Sequence, residues 1–259
     1  ALGCTRVAGR LGANELTIPA VRAPDGSLVY FFDVQRGGSH GFEVDFVVEH
    51  ALPADAPFGP DGRIDHIAQV VPAGHQDRWV LFYRAVLGLV PRGQAVLHDP
   101  YGVIRSRPLE STDGMLRYAL NVSERNRTAV ARSVGAFGGA GVHHVAVCVA
   151  DAEAATSALH AAGAPLLPIP ANYYDDLEAK YALPPETLAR WRRLGLMYER
   201  APDGSELLHA YTVPFDGRFF FEVLERRGGH AGYGAADAPV RLAALAHWQR
   251  AQAGEQPRG

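Results

Sequence analysis

The chain has 259 residues, 47% of them hydrophobic, and a formal net charge of −3, which suits one large domain or two small ones. Its Lys and Arg residues are scattered, with no basic stripe to meet nucleic acid or an anionic membrane, and its longest apolar runs are too short to span a bilayer. Two cysteines, Cys4 and Cys148, are too few for a zinc or disulfide framework, so a reducing cytoplasm is the expected compartment.

The chain starts without Met and in mid-pattern, as a piece of a longer polypeptide would. Residues 16–21 and 28–34 read as two strands joined at Asp25-Gly26, a dipeptide that favours hairpin turns. A Pro/Ala/Gly-rich linker without periodicity follows, up to residue 62. From residue 63 a first module, to about 123, opens with the alternating strand Ile64-Asp65-His66-Ile67-Ala68-Gln69-Val70. Trp79, Phe82, Tyr83 and Val86 then recur at helical spacing over 77–87, and Gly88 is a natural stop. Strands are expected over 94–98, 102–107 and 115–122.

A second module, about 141–225, repeats the order. It opens with a strand over 142–149, and Asp151 caps a helix running to about 159. A helical insertion covers 173–181 and 184–194, with Pro184-Pro185 suited to a first helical turn. Strands over 196–200, 206–213 and 218–224 close the module, and a last helix is expected over 239–252. Phe32-Asp33-Val34-Gln35-Arg36-Gly37-Gly38 resembles Phe221-Glu222-Val223-Leu224-Glu225-Arg226 and the Arg227-Gly228-Gly229 after it. Residues 1–50 therefore read as the remnant of another, upstream copy, 51–62 as a linker, and 63–259 as one domain.

Both modules place a histidine early in their first strand, His66 and His144. Glu222 lies on the closing strand of the second module, in Phe220-Phe221-Glu222-Val223-Leu224, and a carboxylate there is costly to bury unless paired or bound to metal. Two imidazoles and a carboxylate from neighbouring strands can take one face of an octahedral ion and leave sites for substrate and dioxygen, as in non-haem Fe(II) oxygenases. The blander alternative is that each histidine is a hydrogen-bonded strand residue and Glu222 faces solvent or an Arg. In a regular strand His143 points to the face opposite His144. His209 is a neighbour of the site, a substrate contact or a core residue. His75, His98, His160, His230 and His247 are read as surface residues.

These words together resemble the vicinal-oxygen-chelate superfamily, and within it the 4-hydroxyphenylpyruvate dioxygenases. The matching words are Ile64-Asp65-His66, Phe137-Gly138-Gly139-Ala140-Gly141-Val142-His143-His144, Tyr173-Tyr174-Asp175-Asp176-Leu177, Asp203-Gly204 before Leu207-Leu208-His209, and Phe220 to Arg226. The resemblance implies an α+β fold of paired βαβββ modules forming a half-open barrel around Fe(II), with Mg, Mn, Co or Zn as alternatives, held by His66, His144 and Glu222. It also implies substrate contacts at Ser106, Ser123, His143, His209, Tyr211 and Ala238. At four of these the chain departs from the family: His143 and His209 stand where it has glutamines, Ser123 where it has an asparagine, and Ala238 where it has a phenylalanine. Lost polar contacts cost about 1–3 kcal/mol each, which weighs against hydroxyphenylpyruvate itself as substrate.

The tail from Arg226 to Ala244 resembles the C-terminal half of bacterial two-domain 3-dehydroshikimate dehydratases, enzymes of quinate and shikimate breakdown that carry an isomerase-like barrel upstream. The expected function is a metal-dependent, dioxygenase-like domain of such a lyase, with Fe(II)-dependent oxidation of a 2-oxo acid by O2. The expected partners are a small 2-oxo acid or an aromatic or shikimate-type substrate, and a second copy of the chain in a homo-oligomer. The alternatives are a non-catalytic structural or regulatory metal-binding domain, a genuine 4-hydroxyphenylpyruvate dioxygenase, or another chemistry of the superfamily.

Overall fold

The computed structural model describes residues 4–7, 18–32, 47 and 62–255. Residues 16, 17 and 33–34 of the expected N-terminal strands, most of the Phe32-to-Gly38 word and nearly all of the 51–62 linker lie outside the described residues.

Three short strands, β1 (Arg6–Val7), β2 (Ala20–Arg22) and β3 (Leu28–Tyr30), pair antiparallel in that order. The turn between β2 and β3 falls at Asp25-Gly26 as expected, closed by the Gly26 N–H donating to the Ala23 carbonyl. Val21, Ala23 and Val29 of this small sheet pack into one apolar cluster with Trp79, Phe82 and Tyr83. Those aromatics come from α1 (Gln76–Leu87), whose apolar spacing buries one face. At Gly88, φ 67°, the helix ends in the left-handed conformation that glycine adopts without steric cost.

The main sheet has nine strands. β4 (Arg63–Val70) and β9 (Gly141–Cys148) lie antiparallel at its centre. On one side β8 (Arg117–Val122) runs parallel to β4, followed by β7 (Gly102–Glu110), on which β5 (Val90–Pro91) and β6 (Ala95–Asp99) both pair. On the other side β12 (Phe220–Arg227) runs parallel to β9, followed by β11 (Glu206–Tyr211) and β10 (Met197–Arg200). The first strands of the two halves thus meet at the centre, each flanked by the last strand of its own half. The sheet is curved and stays open, an α+β architecture and not a closed barrel.

α1 covers one outer flank, with the Tyr83 ring tilted against that of Tyr118 of β8 at 4.5 Å between centroids. α3 (Ala152–Ala161) covers the other, begun by Asp151, whose carboxylate accepts from the Ala154 N–H. α4 (Ala171–Tyr181) and α5 (Pro185–Leu194) follow, and α5 is tied to α3 by Arg190 and Trp191, which both donate to Glu153. The pattern did not predict α2 (Ala129–Phe137), an amphipathic helix that joins the halves. Its signal was Thr128, whose hydroxyl accepts from the Ala131 N–H, a cap worth about 1 kcal/mol. α6 (Ala238–Glu255) packs against β6 and buries Leu242 and Leu245 in the same cluster as Tyr211 and Phe220. Among the described residues no helix is long and apolar enough to cross a membrane.

Candidate metal centre

His66 on β4, His144 on β9 and Glu222 on β12 come from three adjacent strands and point to the same place. His66 Nε2 lies 3.4 Å from Glu222 Oε2 and His144 Nε2 lies 3.5 Å from the same oxygen. One ligand atom from each lies within 4.8 Å of the others, and all three residues are buried. Bonds of ~2.0–2.2 Å from a divalent cation to nitrogen and oxygen fit inside such a triangle.

Two irregularities in the β4–β9 ladder build this arrangement. Pairing slips by one residue at Asp65, just before His66, and again at His143, just before His144. A β-bulge turns two consecutive side chains towards one face of the sheet. Asp65 therefore sits beside His66, and His143 beside His144. The expectation that His143 faces away fails for this reason: its Nδ1 lies 3.2 Å from His144 Nδ1, and its ring packs edge-on against Phe220 at 4.7 Å.

Each ligand has a partner that fixes its orientation. Asp65 Oδ2 accepts from His66 Nδ1 at 2.9 Å and is itself gripped by Arg226, at 2.8 Å to Oδ1 and 2.7 Å to Oδ2. Glu222 Oε1 accepts from the Tyr211 hydroxyl and from His209 Nδ1, both at 2.9 Å. His209 Nε2 continues to Asp237 at 3.0 Å, and the Asp237 carboxylate meets the Tyr173 hydroxyl at 3.1 Å. That hydroxyl in turn accepts from the Tyr198 N–H. Partners of this kind hold a ligand's tautomer and direction and usually matter to metal affinity almost as much as the ligands.

The electrostatics show what the triad lacks. With Nδ1–H donated to Asp65, His66 turns an Nε2 lone pair towards Glu222. His144 does the same when its Nδ1–H is donated to His143. Two lone pairs and a carboxylate oxygen then face one another inside the protein, which is unfavourable without positive charge between them. A divalent cation fits this donor set, and without one a proton takes its place. Burial pushes His66 down, but the Asp65 and Glu222 carboxylates outweigh it and leave the imidazole above its ordinary value. His144, with burial dominant and the Glu222 carboxylate too little to offset it, falls to about 4. Burial would raise Glu222, yet hydrogen bonds from His144, His209 and His66 hold it well below the usual carboxylate range.

Residues 63–181 match the family described as Glyoxalase/Bleomycin resistance protein/Dioxygenase superfamily. The chain carries a glyoxalase/vicinal-oxygen-chelate superfamily domain. It is 46% identical over 242 residues to a 3-dehydroshikimate dehydratase of Pseudomonas aeruginosa, covering 93% of this chain and 38% of that protein. It is 27% identical to a 4-hydroxyphenylpyruvate dioxygenase of the same species, over 90% of this chain and 65% of that protein. A solved structure described as a xylose isomerase-like TIM barrel/4-hydroxyphenylpyruvate dioxygenase fusion protein superposes with a TM-score of 0.76 at 39% identity, over 95% of this chain and 38% of the other. The chain thus spans under two fifths of the dehydratase that it resembles.

Within this vicinal-oxygen-chelate domain the other expected site residues fare unequally. Ser106 is buried on β7, directly across from Asn121 on β8, and strand alternation places both on the face that carries His66. Ser123, expected to meet substrate, instead donates to the Val103 carbonyl and accepts from the Arg125 N–H, so its hydroxyl closes a turn. Asn121, two residues earlier, is buried on β8 opposite Ser106. His209 has both ring nitrogens engaged and no exposure, and the Tyr211 hydroxyl is engaged likewise, so both position Glu222 and neither is free to read a ligand. Ala238 is buried at the start of α6, next to Asp237. His230, expected at the surface, is buried with Nε2 3.2 Å from Glu199, because the turn after β12 folds back under Arg226. No local pattern marks Asp237, which reaches His209 only through the fold. Asp65 could have been found, since it directly precedes a candidate ligand.

Proposed function

We propose that His66, His144 and Glu222 hold one divalent metal ion, Fe(II) by preference, and that the chain is the dioxygenase-like part of a protein of the 3-dehydroshikimate dehydratase kind, acting on a small organic acid of the 2-oxo or shikimate type. The observation that carries this reading is the convergence of two imidazole Nε2 atoms and one carboxylate oxygen at a buried point, each ligand held by its own partner. The metal would supply Lewis acidity and, if iron, a place for dioxygen. The chain's own residues orient the ligands through Asp65, His143, His209 and Tyr211. Ser106 and Asn121 offer polar groups on the same face, and α6 keeps water out.

Purified protein is expected to contain close to one equivalent of divalent metal and to lose it in His144→Ala. Reconstitution with Fe(II) is expected to give oxygen uptake with at least one member of a panel of 2-oxo acids. Absence of metal after loading would end the proposal.

A second reading has its own support: the three candidate ligands are no more than 7% exposed, and α6 packs over the inner face. A sealed site suits a structural or regulatory metal that aids assembly. Full metal content with no oxygen uptake for any acid, joined to a large loss of melting temperature on chelation, would favour it.

A further inference from the structure

The turn that joins β12 to α6 touches the supports of two of the three candidate ligands. Near its start Arg226 Nη1 donates to the carbonyls of His230 and Gly232, while the rest of the same guanidinium grips Asp65 behind His66. At its end Gly234 passes close to the His209 imidazole, and Asp237 meets His209 Nε2 behind Glu222. Between these points stands Tyr233. Its ring lies edge-on to that of His66, 5.1 Å between centroids at 74°, and its hydroxyl donates to Glu110 Oε1 at 2.7 Å.

Glu110 ends β7, and strand alternation puts it on the face that carries His66. Its other oxygen accepts from Arg92 at 2.8 Å. Burial would raise this carboxyl, but Tyr233 and Arg92 hold it below its ordinary value, so it accepts as an anion. Burial and the same carboxylate push the Tyr233 phenol up, which keeps the proton on the donor. Hydrogen bonds with one charged partner are about twice as strong as neutral ones. Among the described residues, no other side chain of the 228–237 turn hydrogen-bonds to the first half of the domain. The contact with His66 matters because a metal site needs its donors held within about 0.5 Å. The bond to Asp65 fixes His66 Nδ1 but leaves the plane of the ring free to tilt. The neighbouring rings of Tyr233, at 5.1 Å, and His144, at 5.6 Å, limit that tilt.

We infer that Tyr233 is a positioning residue of the candidate metal centre: fastened to Glu110, it sets the tilt of the His66 ring and holds the 228–237 turn against the centre, so that the metal leaves only when this fastening opens. The inference rests on the metal reading above and adds to it what governs metal exchange. Opening the Tyr233–Glu110 bond frees the turn from the first half of the domain. The loosened turn then slackens the supports of His66 and of Glu222 together, because Arg226 and Asp237 flank it on either side.

The test uses the full chain loaded with Co(II), whose visible absorption reports the geometry of its donors, and follows release of the metal to excess chelator. Tyr233→Phe keeps the ring beside His66 and removes only the hydroxyl. It is expected to release Co(II) roughly 10-fold faster than the wild type, with a shifted absorption band. Glu110→Ala is expected to match it, and the double variant to be no faster than either alone. Glu110→Gln keeps an acceptor and is expected to recover most of the wild-type rate. A folded Tyr233→Phe that keeps either the wild-type release rate or the wild-type band overturns the inference, whatever its melting temperature. So do effects that multiply in the double variant, or a Glu110→Gln that releases as fast as Glu110→Ala. Co(II) content is measured separately: a wild type that holds none refutes the metal reading and this inference with it, whereas a loaded wild type whose release ignores Tyr233 refutes this inference alone.

Discussion

Arg226 and Asp65 stand 161 positions apart in the chain and form a two-point ion pair, at 2.8 and 2.7 Å, that ties the closing strand of the second half to the opening strand of the first. The pair is largely buried, with side chains 9% and 4% exposed. Burial by itself would raise Asp65, but the Arg226 guanidinium and His66 hold it far below the usual carboxylate range. The pair does two jobs: it closes the sheet across β9, and it presents an anion to the back of His66.

Asp65→Ala removes that anion and leaves Arg226 buried without its main partner. Breaking one side of a buried pair costs about 3–5 kcal/mol, and losing the group behind a ligating histidine typically weakens metal binding ~10- to 100-fold. Chemical denaturation and competition with a chelator measure the two effects separately. Unchanged metal affinity would show that Asp65 serves the fold alone.

The two adjacent histidines should separate cleanly. His144→Ala removes a candidate ligand and is expected to abolish stoichiometric metal binding. His143→Ala removes only the group facing His144 Nδ1, so it is expected to retain metal, weakened by roughly 10-fold. Elemental analysis after dialysis distinguishes them, and equal retention in both variants would contradict the assignment of roles within the pair.

Gly234 gives a test from outside the metal site. Its φ is +66°, and a Cβ there would lie 2.6 Å from His209 Cε1. Gly234→Ala therefore combines backbone strain with displacement of the imidazole that holds Glu222. A loss of about 1–3 kcal/mol is expected, together with reduced metal retention. A variant that melts like the wild type and keeps its metal would mean that the 228–237 turn is not coupled to Glu222.

The pH dependence follows from His209, which is fully buried between two carboxylates. Burial would lower it, but Asp237 and Glu222 overcome this and raise it from its ordinary 6.5 to about 9. A group whose proton is held more tightly in the folded state adds stability that is complete below the unfolded value and lost as pH rises through the folded one. Chelator-treated protein should thus lose on the order of a few kcal/mol between about pH 6.5 and 9, and His209→Gln should flatten that slope. A flat profile for the wild type would mean that the imidazole is neutral.

Much of the fold was legible because its signals are local. Alternation marked β4, β9 and β12, Asp151 marked the start of α3, and Gly88 marked the end of α1. The convergence of His66, His144 and Glu222 could be anticipated because each sits within a repeated or strongly apolar strand word. What stayed hidden depends on chain geometry that no residue announces. The bulge at His143 reversed the direction of a side chain that strict alternation sends outward. His209 and Tyr211 looked like ligand contacts until their polar atoms were found engaged by Glu222 and Asp237.

The paired bulges also bear on ancestry. An irregularity of this kind disrupts the ladder wherever it occurs, and here it occurs twice at the same step before the same residue type. A single parental strand, copied with its defect, accounts for that more simply than two independent slips. What changed between the copies is the character of the group next in line: an acid in one half, an aromatic base in the other. Symmetry of shape thus survives alongside unequal donors, and any cation held between the halves would meet one electron-rich imidazole and one poorer in charge.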